Sequence, residues 1–427
     1  MLTTNTHTIG FSALISGISR LIGYSSRLAN LLSGLCWIFT VQCLWSACGA
    51  MSHRSVARAI ALGLLLSSPA MYVVGGTSFA EPLFGLLLML CIWQTIYRRD
   101  EGEGGWSFGL SLALWCVSLL LLALAKKEGV LFIGIMSVRD AVQYWRDRTR
   151  GGARHIAWAT SSTVALVAAI GVFGLLEALS RHSVDIGMPA FDVHYMSRLG
   201  SPFLKAAITP KFFGIAGLAF AVSVVLMRKC KDGNLVLFSV IVTGYLVLYV
   251  VHARHYWFAL GQEVQPIEMV RYLYSLTPLV CLVAGGVISN CVARAGEHWR
   301  RDKTAIIEWA AVLLIVLGVG VAQVTAVATM DDIASQEDLA WRGFLKTVAS
   351  RQNDVFVSSR IVALQAYVGA SVELVDVVAL GDPRLRPWLT QLKSEGRITL
   401  LDDGHCGSAI ARDRWPQGCA MVKWLAE

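Results

Sequence analysis

The chain has 427 residues, of which 55% are hydrophobic and 15% are charged, against roughly 25% charged residues in ordinary soluble domains. Its mean hydropathy is +0.58. This composition excludes an intrinsically disordered protein, which needs low hydrophobicity and a high density of charge. It also excludes a typical soluble enzyme, because so much apolar surface cannot all be buried in one or two globular cores. The composition predicts a polytopic α-helical membrane protein.

The formal net charge of +8 is unevenly distributed along the chain. Residues 330–427 contain 11 basic and 13 acidic residues, so the positive excess lies in residues 1–329. In a membrane protein such an excess sets the orientation of the helices, and it does not indicate a nucleic-acid partner. The basic run Arg146, Arg148, Arg150 and Arg154 is typical of an anchor on anionic lipid.

Ten apolar segments are candidates for membrane-spanning helices, which need about 20 apolar residues each. They are 28–48, 59–76, 81–97, 106–124, 130–138 with its flanks, 157–177, 212–227, 234–252, 272–293 and 305–328. Lys and Arg are denser in the loops that follow the first, third, fifth, seventh and ninth segments. The positive-inside rule therefore places these loops in the cytoplasm and both termini outside. Segment 130–138 is short, which predicts a tilted or partly buried helix.

The N-terminal residues 1–27 have no signal peptide, because no charged region precedes a cleavable apolar stretch. Residues 10–24 are suited to the membrane interface and are too short and broken to span it. Two explanations remain open: the N-terminus is translocated as a short tail, or a preceding helix is missing.

The composition changes after residue 329, where apolar runs shorten and charges of both signs appear. This change predicts a transmembrane domain over 1–329 and a small extracytoplasmic α/β domain over 330–427. Predicted strands are 354–359, 372–376, 397–401 and 420–425, and predicted helices between them are 338–350 and 360–369. Of ten cysteines, eight lie in or beside apolar stretches and serve as packing residues. Cys406 and Cys419 close a loop short enough for a disulfide in an oxidising compartment.

Several local patterns occur in a fixed order along the chain. They are Gly23 followed by 26–30 (SRLAN), 67–69 (SSP), 77–84 (TSFAEPLF), 123–129 (ALAKKEG), and Arg271-Tyr272 with Pro278 six residues on. Over residues 10–290 the chain resembles the GT-C superfamily of multi-spanning glycosyltransferases. It is most similar to the bacterial branch akin to dolichyl-phosphate-mannose–protein mannosyltransferases and lipid A sugar transferases. The resemblance implies a GT-C-like transmembrane fold in the plasma membrane, the inner membrane in such bacteria.

The resemblance also implies a reaction and its partners. Such enzymes move a sugar from a polyprenyl-phosphate donor to a lipid, glycan or protein acceptor outside the membrane, usually with inversion. A carboxylate in the first outer loop acts as base or metal ligand. Residues 1–27 contain no Asp or Glu, so that first helix and its acidic loop have no counterpart here. A divalent metal stays open as a cofactor, and no residue spacing predicts a zinc site.

Arg271 and Tyr272 are the strongest candidates for substrate binding. A guanidinium at the membrane boundary can hold the donor's phosphate through two parallel hydrogen bonds. The alternative is interfacial anchoring, since both side chains reach from apolar surface to water. The resemblance adds Lys126, in the place of the family's arginine, and Glu128. The alternative for these two is charge complementarity at helix ends.

Three carboxylates are weaker candidates for catalysis. Glu81 is suited to orienting an acceptor hydroxyl or holding a cation, and its alternative is an acid that favours a helix start, with Pro82 beside it. Asp185 and Asp192 lie in the long loop 178–211 and are substitute bases if the chain is active as it stands.

Two other function classes compete with an enzyme. The absence of the acidic outer loop favours a catalytically inactive or shortened relative that acts as a membrane partner in envelope glycan assembly. A transporter is disfavoured, because the sequence shows no internal repeat and no matching pair of broken helices.

Overall fold

The computed structural model shows a helical bundle and a small α/β unit. The residues it describes are 26–51, 55–69, 71–72, 81–97, 106–126, 128–146, 152–179, 215–227, 232–251, 274–298, 317–321, 354–358, 373–376, 380–401 and 416–427, with a few short pieces between them. The chain divides into two compact units near residue 327.

The first unit is built from helices. Their bounds are α1 Ser26–Met51, α2 Ser55–Leu66, α3 Glu81–Tyr97, α4 Trp106–Ala125, α5 Gly129–Arg146, α6 Gly152–Leu179, α7 Ile215–Leu226, α8 Gly233–Val251 and α9 Thr277–His298.

Three of the described helices are long and apolar enough to cross a membrane, at Leu31–Met51, Phe108–Ala125 and Ile156–Phe173. Shorter apolar helices accompany them at Val56–Leu66, Glu81–Tyr97, Ile215–Leu226, Gly233–Tyr249 and Thr277–Cys291. Many large apolar side chains on α1, α4 and α6 point outward, as they do where lipid surrounds a bundle. The helices indicate a membrane protein.

Helix α3 has the bounds that the sequence predicts, and two other helices differ from prediction. Segment 130–138 forms the N-terminal half of the 18-residue helix α5, so the helix is longer than the segment. The predicted segment 59–76 is interrupted, because α2 ends at Leu66 and a turn follows through Ser67 and Ser68. Pro69 lies just beyond, and the residue before a proline disfavours helical geometry.

Helices α9 and α2 approach each other closely at Gly285. A Cβ atom at this position would lie 2.9 Å from the Ala57 carbonyl oxygen and 2.9 Å from the Ala61 Cβ. Without a hydrophobic force between helices in lipid, close packing of small residues holds them together. The glycine therefore sets the α2–α9 spacing.

A buried hydrogen-bonded chain joins α4, α5 and α6. The Trp115 indole N–H donates to the Ser162 hydroxyl at 3.1 Å, and that hydroxyl donates to the Asp140 carboxylate at 3.1 Å. Arg139 lies 3.7 Å from the same carboxylate. Trp115, Ser162 and Asp140 thus each have a polar partner, as a low-dielectric interior requires.

The second unit contains a three-stranded parallel sheet. Its strands are β1 Val355–Ser358, β2 Glu373–Asp376 and β3 Ile398–Leu400, in the order β2-β1-β3. Two helices, α10 Arg386–Ser394 and α11 Pro416–Ala426, pack on it. The strands predicted at 354–359, 372–376 and 397–401 are confirmed.

The strand predicted at 420–425 is wrong, because these residues lie in α11. Cys419 and Val422 are buried at a spacing of three, which is a helical period and not the period of two that a strand requires. The helix α10 was not predicted. Pro387 starts it, and Gly396 in the left-handed region ends it, with φ of +65°.

Cys406 and Cys419 form a disulfide, as the short loop between them allows. It ties α11 to the segment after β3 and contributes to the core of this unit. The ammonium of Lys393 on α10 donates to the Trp424 carbonyl oxygen and lies 4.4 Å from the ring centroid of Trp424. The helix predicted at 360–369 lies outside the described residues, as does most of 338–350.

The close approach at Gly285 leads to the first prediction. Gly285→Ala should lower the thermal unfolding temperature of the detergent-purified protein, because the new methyl group forces α9 away from α2. Gly134→Ala on α5 is the control, since nothing lies within 4 Å of a Cβ there. The control should be neutral or stabilising, because alanine favours a helix by about 1 kcal/mol over glycine. Equal unfolding temperatures for both variants would contradict the packing argument.

The disulfide leads to the second prediction. Its two cysteines are 13 positions apart, and closing a loop of that size stabilises a fold by about 3 kcal/mol. The double variant Cys406→Ser, Cys419→Ser should unfold earlier in urea, and reductant should shift the wild type to the same midpoint. Cys116→Ser in the membrane unit should leave the response to reductant unchanged. A wild type indifferent to reductant would refute the bond.

Candidate functional site

Three ionisable side chains meet at one end of the bundle. The Lys126 ammonium lies 3.2 Å from the Glu81 carboxylate and 3.7 Å from the Glu128 carboxylate. The exposed fractions of these side chains are 5% for Lys126, 4% for Glu81 and 16% for Glu128. We call these residues the charged triad.

Local sequence explains why Glu81 begins its helix. An acid in the first turn is favoured by the positive end of the helix dipole, and the next residue, Pro82, is suited to the first helical position. Glu81 is nonetheless buried. A helix-start preference does not explain burial of a charge, but its pairing with Lys126 does.

The tight turn between α4 and α5 places Lys126 and Glu128. The Lys126 N–H donates to the Leu122 carbonyl at 3.2 Å, and the Gly129 N–H donates to the Lys126 carbonyl at 2.9 Å. A Cβ at Gly129 would lie only 2.6 Å from the Leu122 carbonyl oxygen. Only glycine allows the chain to fold back this closely against α4.

Aromatic side chains surround the ammonium. The ring centroids of Phe84 on α3 and Tyr249 on α8 each lie 5.9 Å from the Lys126 nitrogen. Tyr245 packs edge-on against Phe84, with ring centroids 6.1 Å apart, and donates its hydroxyl to the Glu128 carbonyl at 3.0 Å. Aromatic faces attract cations, more strongly where water is excluded. Helix α8 is thereby coupled to the α4–α5 turn.

The charged triad carries one positive and two negative charges when all three groups are ionised. Moving such charges out of water is costly, and mutual attraction offsets this cost only with close geometry. A buried triad at a helix end is therefore a functional candidate by default. Within the described ranges, no group of three His, Cys, Asp or Glu side chains is placed to hold a metal ion.

The segment before α9 completes this end of the bundle. A Cβ at Gly85, one turn after Glu81, would lie 3.6 Å from the Ser275 Cα and 3.8 Å from the Tyr274 ring. Tyr274 and Ser275 are fully buried. The start of α3 thus carries Glu81 of the charged triad and, one turn later, packs against this segment.

The structure brings together three of the predicted site residues, Glu81, Lys126 and Glu128. Four others, Arg271, Tyr272, Asp185 and Asp192, lie outside the described residues, and their roles stay predictions. Sequence reasoning missed Phe84, Tyr245 and Tyr249. Tyrosine within an apolar helix was the available signal, because a buried phenol needs a polar partner.

Comparisons with known proteins complete this description. No family model and no curated protein sequence matches the chain. Among solved structures, it is similar to ArnT from Cupriavidus metallidurans, crystallised with undecaprenyl phosphate. The TM-score is 0.52 at 12% sequence identity, over 93% of this chain and 80% of that one. The chain has a GT-C-like fold. The predicted fold class is thereby confirmed at this level, whereas the likeness does not settle the branch or the number of spans.

The charged triad leads to the third prediction. Lys126→Met leaves two buried carboxylates without their cation, so the free energy of unfolding should fall by about 3–5 kcal/mol. Adding Glu81→Gln should recover part of this loss, because it removes one of the uncompensated charges. Lys423→Met is the control, since Lys423 pairs with Glu427 at the surface and should cost under about 0.5 kcal/mol. Denaturant unfolding of the detergent-solubilised protein measures these three variants and Glu81→Gln alone, and strict additivity of the two triad changes would contradict the pairing.

Proposed function

We propose that the protein is a membrane glycosyltransferase that moves a sugar from a polyprenyl-phosphate donor to an extracytoplasmic acceptor. The observation that carries the proposal is the buried charged triad, placed where four helices of a GT-C-like bundle meet. The similar ArnT structure contains undecaprenyl phosphate, which supports a polyprenyl-phosphate partner. The disulfide supports an oxidising, extracytoplasmic location for the C-terminal unit.

The donor's phosphate needs more positive charge than Lys126 supplies. Two carboxylates already lie within 3.7 Å of its ammonium, so the charge of Lys126 is shared with them. Arg271 supplies the second cation in this proposal, with two parallel hydrogen bonds to the phosphate, and Tyr272 lies beside it in the sequence. With Arg271 added, the protein groups are neutral overall and can accept a phosphate.

The reaction replaces the bond between the sugar's anomeric carbon and the phosphate oxygen. An acceptor hydroxyl attacks the anomeric carbon, the bonding electrons stay on the phosphate, and a carboxylate accepts the hydroxyl proton. Glu81 is suited to this role because its carboxylate lies in the charged triad, 3.2 Å from the Lys126 ammonium; Asp185 and Asp192 are the other candidates. Negative charge grows on the phosphate as the sugar leaves, and fixed cations in a water-poor site stabilise it.

The fourth prediction tests this proposal. Proteoliposomes containing the full chain receive a panel of radiolabelled polyprenyl-phosphate sugars and membrane-extracted acceptors. We expect transfer from at least one donor, and a loss of about 100-fold or more for Arg271→Ala. Glu81→Gln keeps the Lys126–Glu128 contact and should also lose transfer, whereas Lys423→Met should not. Full transfer by Arg271→Ala would overturn the assignment of the phosphate site, and no transfer from any donor would overturn the function.

A further inference from the structure

Two buried hydroxyl groups next to the charged triad have no hydrogen-bond partner in the described part of the chain. They belong to Tyr274 and Ser275, whose side chains are 1% and 0% exposed. Buried hydroxyls are costly when unpaired, and native proteins rarely leave two adjacent ones so. The Ser275 hydroxyl does not even cap α9, which begins two residues later.

The two residues that carry these hydroxyls pack against the start of α3. Both residues lie against Gly85, which shares a helix face with Glu81 one turn earlier. Ser33 on α1 also has a buried hydroxyl without a partner. Unpaired buried hydroxyls thus occur on α1 and in the segment before α9.

The contrast with the rest of the bundle is informative. Trp115, Ser162 and Asp140 satisfy one another across three helices, and serines within α7 and α8 donate to carbonyls of their own helices. The chain therefore satisfies buried hydroxyls in several other places. Polar groups left unpaired beside a candidate site are those that a ligand would pair.

We propose that Tyr274, Ser275 and Glu81 form a subsite for the hydroxyl groups of a sugar ring. This rests on the proposed function and adds a basis for sugar specificity. A ring hydroxyl can donate to the Glu81 carboxylate and accept from Tyr274 or Ser275, which uses both of its hydrogen-bonding capacities. A site built this way rejects a sugar that lacks the hydroxyl, because its own polar groups are then left unpaired.

The ring enters when the closed segment moves. The two hydroxyls are shut off from solvent in this structure, so binding separates the segment before α9 from α3. Closure over the bound ring then excludes water from the charged triad, as active-site closure commonly does. The ligand chemistry is the same whether the ring belongs to the donor or to a sugar acceptor.

The test uses the full chain in proteoliposomes and the variants Tyr274→Phe and Ser275→Ala, which remove only a hydroxyl. Ser289→Ala is the matched control, since Ser289 is also buried on α9 with an unpaired hydroxyl. Ser289 lies about 18 Å along the helix from Thr277, the first residue of α9. A purely structural role predicts that all three variants behave alike, neutral or slightly more stable. Our proposal predicts unchanged or raised unfolding temperatures together with about tenfold lower kcat/KM for the first two variants only.

Monodeoxy analogues of the active donor or acceptor identify the hydroxyl. Wild type should reject one analogue by about 100-fold or more, and Tyr274→Phe or Ser275→Ala should reject it less. Donor affinity, measured by thermal shift without acceptor, assigns the ring to the donor if the variants weaken it and to the acceptor if they do not. The subsite would be overturned if the variants transfer sugar at wild-type rates, or if their transfer rate falls by the same factor with every analogue.

The outcomes separate this inference from the proposed function. Wild-type transfer with unaffected Tyr274→Phe and Ser275→Ala variants would keep the function and remove the subsite. A donor-induced thermal shift that these variants lose, without transfer by any form, would keep the subsite and remove the enzyme. Neither a thermal shift nor transfer with any donor would remove both.

Discussion

This end of the bundle depends on the pairing of the Lys126 ammonium with the Glu81 and Glu128 carboxylates. Charges buried this deeply persist only when they are paired at short range. The pairing holds the start of α3 beside the α4–α5 turn, with 3.2 Å between the Lys126 ammonium and the Glu81 carboxylate. The Tyr245 hydroxyl bond to the turn extends the constraint to α8. Electrostatic pairing therefore positions four helices, whereas apolar packing alone would allow them to slide past one another.

The surroundings of the triad make its charges effective. Aromatic rings and apolar helix faces exclude water, so each electrostatic interaction is stronger than it would be at a surface. A site of this kind needs little rearrangement when charge develops on a substrate, which is how fixed groups stabilise a transition state. In the proposed function a phosphate that enters the site binds a further cation besides Lys126, and that cation is Arg271.

Buried polar groups stabilise one part of the bundle and destabilise another. Along α4, α5 and α6 the buried polar groups of Trp115, Ser162 and Asp140 satisfy one another, which stabilises the helices. Beside Glu81 the Tyr274 and Ser275 hydroxyls are left unpaired, which destabilises the free protein. Binding sites commonly tolerate such a cost because the ligand repays it. The two arrangements lie within one bundle.

The sequence by itself determined the helices of the membrane unit, because runs of about 20 apolar residues have few other stable states. It also identified Glu81, Lys126 and Glu128 as helix-end groups, and three of the strands. Only the tertiary structure decided that Lys126 pairs with Glu81, since residues 45 positions apart meet through helix packing that no local pattern encodes. For the same reason the contacts of Tyr245 and the unpaired hydroxyls of Tyr274 and Ser275 were not predictable. Helix α11 was mistaken for a strand because a short apolar run fits both periods, and the core and the disulfide at Cys419 selected the helix.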